Sequence, residues 1–260
     1  MKNYTLKCIL LGLTIGFISC SKDSNEIEDI TYTSSESFER TSGGTCGSSV
    51  NFQDLLIETS WISEDKNDKD TFDACGVDNE SWMDKYSDGR VMIKCLAEDG
   101  QRTELKEDFG DEAALYQYKK MKFTGKLTNI PSHGVTIAQI HNRGDNVKRP
   151  WIRVYVDSDR SIKIKETETN PTGSSSEYST FTGPDYNQGS DLTVTIWTGP
   201  SGKEKAKIKI QTGGDSWTKN LTASSDWDSN SDTFYLKAGV YTEGSDKEPV
   251  MKYSSFYIKH

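Results

Sequence analysis

Apolar and polar residues alternate with a period of two over several stretches of the chain. In Trp151-Ile152-Arg153-Val154-Tyr155-Val156 the residues Ile152, Val154 and Val156 share one face, and Arg153 and Tyr155 the other. That is the pattern of a half-buried strand. Asp157-Ser158-Asp159 then turns the chain into Ser161-Ile162-Lys163-Ile164-Lys165, which predicts a hairpin. Leu192 to Trp197 repeats the alternation, and Gly199-Pro200-Ser201-Gly202 turns it into Ala206 to Ile210. Arg90 to Leu96 follows the turn Ser87-Asp88-Gly89, and Phe234 to Tyr241 and Ser254 to Lys259 supply late strands. A short helix is expected near Val50 to Thr59. Many strands of similar length separated by turns predict an all-β fold, a jelly-roll β-sandwich of two antiparallel sheets with a concave substrate groove. The outward positions often carry Lys, Arg, Thr, Tyr or Trp, a set that suits a sugar polymer on a concave face.

The first 47 residues follow different rules. Lys2 and Lys7 precede an apolar run from Cys8 to Ile18, too short to span a bilayer. It ends in Phe17-Ile18-Ser19-Cys20, which resembles a bacterial lipobox with Cys20 as the acylated residue; ordinary signal cleavage near Ser19 is the alternative. Residues 1–20 are therefore expected to be a lipoprotein signal peptide. Residues 21–47, rich in Ser, Thr, Glu and Gly, are expected to be a disordered linker. Residues 48–260 form the expected domain, a monomer exported as an outer-membrane or cell-surface lipoprotein, or secreted, and touching membrane only through an N-terminal lipid anchor. Cys46, Cys75 and Cys95 remain after the leader, so at most one disulfide forms and one thiol is left over. Cys75 with Cys95 is the preferred pair, because Cys46 lies in the Gly/Ser-rich lead.

The formal charge of -9 makes nucleic acid an improbable partner. It leaves an anionic polymer open, provided that a local basic surface exists on the acidic body. No metal-ligand cluster is visible, and no metal or cofactor is expected.

Three segments carry candidate chemistry. In Gln101-Arg102-Thr103-Glu104-Leu105-Lys106-Glu107 a strand puts Arg102, Glu104 and Lys106 on one face. In Ile137-Ala138-Gln139-Ile140-His141, Gln139 and His141 share a face and Ile140 points to the core; parity does not separate Ile137 from them. The other histidines, His133 and His260, lie in a turn and at the last position. In Tyr235-Leu236-Lys237-Ala238-Gly239-Val240-Tyr241 the odd-numbered residues share a face. Gly239 there marks either a close approach to the backbone or a bulge between two packed tyrosines.

In this order the three segments resemble the alginate lyases of polysaccharide lyase family 7, which show an R-[ST]-E-L-[RK] strand, a Q-[IV]-H strand and a Y-x-K-A-G-x-Y strand. The chain departs at Lys106, where many members carry Arg; a point charge there replaces a bidentate grip. The resemblance implies β-elimination on a uronate polymer. Arg102, Gln139 and His141 would surround the uronate carboxylate, and Tyr241 would shuttle the proton. Glu104 would orient Arg102, and Glu104, Lys106, Lys237 and Tyr235 would serve substrate binding at and beside that ring. An ordinary Tyr titrates near 10, so a base role needs nearby cations, whereas as a phenol it donates directly to the leaving oxygen. For guluronate the C5 proton lies on the opposite face, where a neutral His141 is the natural base. In the resemblance, Ile in the middle of Q-x-H goes with acceptance of guluronate-containing or mixed blocks. Two other readings remain: a glucuronan or other polyuronate lyase, and a non-catalytic surface glycan-binding lipoprotein. A concanavalin-like glycoside hydrolase would need paired carboxylates, and Glu104 has no evident acidic partner on its face.

Overall fold

The computed structural model describes residues 49–143, 149–168, 178–228 and 233–260. The expected signal peptide, Cys20 and the linker lie outside the described residues. Strands are numbered in chain order. The first sheet has eight, in the spatial order β10 (Tyr178–Asp185), β9 (Ser161–Thr167), β8 (Ile152–Val156), β7 (Val135–Arg143), β14 (Thr233–Thr242), β5 (Arg102–Glu107), β1 (Leu55–Thr59) and β2 (Asp70–Asp73). The second has seven: β13 (Asp215–Thr222), β12 (Lys205–Thr212), β11 (Asp191–Thr198), β6 (Lys119–Thr128), β15 (Val250–Lys259), β4 (Val91–Lys94) and β3 (Met83–Lys85). Neighbours within each sheet run antiparallel, as in the long ladders of β14 with β7 and β15 with β6.

The alternation read from the sequence decides which face is buried. Ile57, Leu105, Ile140, Leu236 and Val240 of the first sheet join Phe123, Val194, Ile208 and Phe256 of the second in one core. Burying a side chain of this kind is worth roughly 1.5–3 kcal/mol, which fixes register against a one-residue slip. The predicted hairpin is β8–β9, with Arg160 at φ 68° closing its turn.

Two expectations are corrected. The segment expected to be a helix near Val50 to Thr59 ends in strand β1. Leu55 and Ile57 enter the core, and pairing with β2 on one side and β5 on the other satisfies the backbone better than an isolated helical turn. The preferred disulfide is also wrong: Cys75 is disulfide-bonded, while Cys95 is a buried free thiol. The partner of Cys75 therefore lies outside the described residues.

Register irregularities shape the site-bearing sheet. The β7–β8 ladder slips between Thr136 and Ala138, and the β14–β7 ladder between Ala238 and Tyr241. The slip resolves Ile137, which is fully buried, as is its neighbour Ala138. Both readings of Gly239 hold: it lies within the β14 irregularity, and β5 crowds it. A Cβ there would sit 2.2 Å from the Thr103 carbonyl oxygen and 2.6 Å from the Glu104 Cα. Both are backbone atoms that cannot yield without moving β5. Gly239→Ala is expected to destabilise the domain by about 2 kcal/mol or more, read as a fall in Tm of roughly 5 °C or more. An unchanged Tm would mean that β5 and β14 do not approach so closely.

Candidate active site

The central strands β7, β14 and β5 are adjacent, and each contributes one motif. Pairing puts Tyr241 opposite Arg102, Lys237 opposite both Lys106 and Gln139, and Tyr235 opposite His141. Arg102, Gln139, His141 and Tyr241 thus meet on the outward face of one sheet, across three neighbouring strands.

Beneath them runs a line of alternating charge. Glu58, on β1, pairs directly with Glu104 of β5 in the ladder. Two carboxylates so placed repel unless a cation separates them. Lys237 supplies it: its Nζ is 2.5 Å from Glu58 Oε1 and 2.7 Å from Glu104 Oε2. Lys106 holds the other Glu58 oxygen at 2.9 Å. Burial opposes ionisation of Glu58, but the charges of Lys237 and Lys106 outweigh it and hold its carboxyl well below the usual range. Burial likewise works against charge on Lys237, yet Glu104 and Glu58 overcome it and raise its pKa.

This line corrects several roles expected from the sequence. Lys237 is only 3 % exposed and engaged by two carboxylates, so it does not reach a neighbouring sugar subsite. Glu104, 1 % exposed, accepts a hydrogen bond from Gln139 Nε2 and pairs with Lys237, so it orients Gln139 rather than Arg102. Lys106 is committed to Glu58. Tyr235 stacks on the His141 ring, with centroids 5.3 Å apart and planes at 24°. Glu58 is the acidic partner of Glu104 that was not evident from the sequence. Both are held by Lys237, which removes them as a free acid–base pair.

The four outward groups retain reactive capacity. Gln139 spends one amide hydrogen on Glu104 and keeps a second donor. Arg102 lies with its guanidinium carbon 4.4 Å from the centre of the Tyr241 ring, a cation–π contact. One of its terminal nitrogens donates to the Gly100 carbonyl at 3.3 Å. Its Nε is buried without a hydrogen-bond partner among the described residues. A buried charged donor left unpaired is costly, and a bound carboxylate would satisfy it. His141 Nδ1 lies 2.8 Å from the Asn142 carbonyl oxygen. A carbonyl only accepts, so Nδ1 carries the proton and Nε2 keeps its lone pair. Burial, and then the charge of Lys237, push the His141 pKa down to about 4.

Other polar groups on this sheet were not singled out as site residues in the sequence, because no motif surrounds them. On one side Arg153 meets Glu243 at 2.8 Å, and Glu243 also accepts from Thr136 at 2.7 Å. Further out, Lys165 Nζ lies 4.1 Å from the centre of the Tyr178 ring. Cations therefore line this sheet on an acidic protein, as an anionic ligand requires.

Residues 59–260 match the family model described as alginate lyase. Among solved structures, the alginate lyase from Klebsiella pneumoniae is similar at a TM-score of 0.65 and 13% identity, over 85% of this chain and 99% of that one. Alginate lyase A1-II′, described as a member of polysaccharide lyase family 7, is similar at 0.61 and 16% identity, over 85% and 99%. An alginate lyase from Pseudomonas aeruginosa is similar at 0.60 and 14% identity, over 81% and 99%. No curated protein sequence matches.

The lowered pKa sets a pH dependence. Unfolded His141 takes up its proton near 6.5 and the folded site only near 4. The stability tied to the neutral ring is thus complete above about 6.5 and is lost as pH falls towards 4. In a proton-NMR titration the His141 ring is expected to titrate near pH 4, and the acid limb of kcat/KM to follow it. A midpoint near 6.5 would contradict the buried, Lys237-facing ring.

Proposed function

The chain belongs to the alginate lyase family and is a polysaccharide lyase that cleaves alginate, and from that premise we propose how its residues divide the work of β-elimination and which blocks it prefers. The reaction breaks the C5–H bond, forms a double bond between C4 and C5, and expels the C4 oxygen, which takes a proton. The C5 proton is weakly acidic because the neighbouring carboxylate is already negative. Offsetting that charge is the first requirement. Arg102, through its unpaired Nε, and Gln139, through its free amide hydrogen, receive the uronate carboxylate and the charge that develops on it. A donor of this kind is typically worth about 3–4 kcal/mol of transition-state stabilisation.

Proton transfer falls to two groups. His141 Nε2, neutral down to about pH 4, accepts the C5 proton of guluronate. Tyr241, held against the Arg102 guanidinium, donates its phenolic proton to the leaving C4 oxygen. For mannuronate, whose C5 proton lies on the other ring face, Tyr241 would serve as both base and acid. The chain therefore favours guluronate-containing or mixed blocks, in keeping with Ile140 in the middle of its Q-x-H motif. The observation that carries this reading is the convergence of Arg102, Gln139, His141 and Tyr241 on one face of three neighbouring strands. Two solved structures of one relative bear on the roles. A tyrosine-to-phenylalanine variant of alginate lyase A1-II′ is described in complex with product, and a variant carrying an additional histidine-to-asparagine change with substrate.

We further propose that the chain is exported as a monomer and anchored through a lipid on Cys20, which the apolar run ending at Ser19-Cys20 supports. Mass spectrometry of the mature N-terminus is expected to show diacylglycerol on Cys20; an unmodified N-terminus beyond Cys20 would refute the anchor.

Tyr241→Phe is expected to lower the appearance of unsaturated product, followed by ultraviolet absorbance, by about a thousandfold while polymer binding persists. Unchanged turnover would remove Tyr241 from the mechanism. His141→Asn is expected to abolish cleavage of guluronate blocks and to spare more of the activity on mannuronate blocks. Equal losses on both would refute the division of roles.

A further inference from the structure

The sequence reads Leu192 to Trp197 and Ala206 to Ile210 as strands with polar and aromatic outward positions. The structure places them on the sheet that does not carry the site, as β11 and β12. Their outward residues need another explanation. Strands β12, β11, β6 and β15 are adjacent there and contain nine lysines, of which only Lys119 is buried. They contain one acidic residue, Asp191. On a chain of net charge -9, this face is a local inversion of sign.

The arrangement is ordered. Ladder partners set Lys207, Trp197, Lys120 and Lys259 in one row across four strands. The next row is Lys209, Thr195, Lys122 and Tyr257. The Lys120 amine lies 5.5 Å from the centre of the Trp197 ring and 5.8 Å from that of Tyr257. Lys207 lies 5.3 Å from Trp197, and Lys259 5.4 Å from Tyr257. Lys120 sits directly opposite Lys259, and Lys126 opposite Lys252. Like charges directly across a ladder destabilise a sheet. The rings of Trp197 and Tyr257 hold Lys120 and Lys259, and a polyanion laid over the rows would offset the repulsion that remains.

We propose that the outer face of the seven-stranded sheet is a second binding surface for an anionic polysaccharide, distinct from the cleavage site on the other sheet. The rows advance by about 4.8 Å per strand, on the scale of one sugar unit. A polyuronate crossing the strands presents one carboxylate per ring to the amines and its ring faces to Trp197 and Tyr257. Such a surface holds the enzyme on polymer while the opposite sheet cuts. The identity of the polymer as alginate rests on the lyase reading; the basic aromatic surface does not.

The test uses the full chain with Tyr241→Phe, run through native gels with and without alginate, and the active chain assayed on short alginate oligosaccharides. Lys120→Glu combined with Lys207→Glu is expected to weaken alginate retardation at least tenfold, with oligosaccharide turnover unchanged within twofold. Trp197→Ala, which keeps every charge, is expected to weaken it less. Lys66→Glu with Lys247→Glu, two exposed loop lysines, is expected to leave it intact. Unaltered retardation of the Lys120/Lys207 variant overturns the proposal, as does equal weakening by the loop control. Vesicles containing phosphatidylglycerol provide a further arm: loss of vesicle binding with alginate retardation intact would assign the face to lipid and overturn the proposal. Failure of the active chain to yield unsaturated product, with Lys120- and Lys207-dependent retardation preserved, would sink the lyase reading alone.

Discussion

Lys237 sets the terms for the whole site. It is a buried cation between two glutamates from different strands, and its charge offsets the repulsion between their carboxylates. Desolvating three charges is expensive, and the attraction among them repays this only when geometry is good and remaining lone pairs are filled. Here they are filled from both ends, by Lys106 on Glu58 and by Gln139 on Glu104. The line crosses β1, β5, β14 and β7, and so fixes the lateral positions of the strands that present the reactive groups. A hydrophobic replacement would pack as well, but it would leave Gln139 with no acceptor to orient it.

The same cation tunes the chemistry above it. Its charge helps to keep the His141 imidazole neutral, which a proton acceptor must be. Its hold on Glu104 passes through Gln139 to the carboxylate-binding end of the site. Arg102 stands apart from this line. It packs over Tyr241 and keeps a donor without a hydrogen-bond partner among the described residues. The division is economical in physical terms: paired charges build the floor, and the Arg102 guanidinium receives the ligand.

Strand parity made much of this readable in the sequence. Arg102, Glu104 and Lys106, Gln139 and His141, and Tyr235, Lys237 and Tyr241 were assigned to common faces within their own strands, and the ladders join those faces. Parity says which face a residue takes, not which sheet it belongs to, and Trp197 and Lys207 show the consequence. Nor does it see long-range pairing. Glu58 lay in a stretch that read as helical, so its place opposite Glu104 had no local signature. Local motifs likewise could not reveal that Lys237 faces two carboxylates rather than solvent, because one comes from a strand 179 residues away. The cysteines misled for a similar reason: the Gly/Ser-rich surroundings of Cys46 favoured Cys75 with Cys95, but Cys95 is a buried free thiol.

The central claim is that one uronate ring is held by groups from β5, β7 and β14 together. A crystal structure of the Tyr241→Phe chain with a guluronate-containing tetrasaccharide addresses it most directly. The account predicts one carboxylate within hydrogen-bonding distance of both Arg102 Nε and Gln139 Nε2, with His141 Nε2 facing C5 of the same ring. An oligosaccharide seated elsewhere on the sheet, with Arg102 Nε still unpaired, would contradict it.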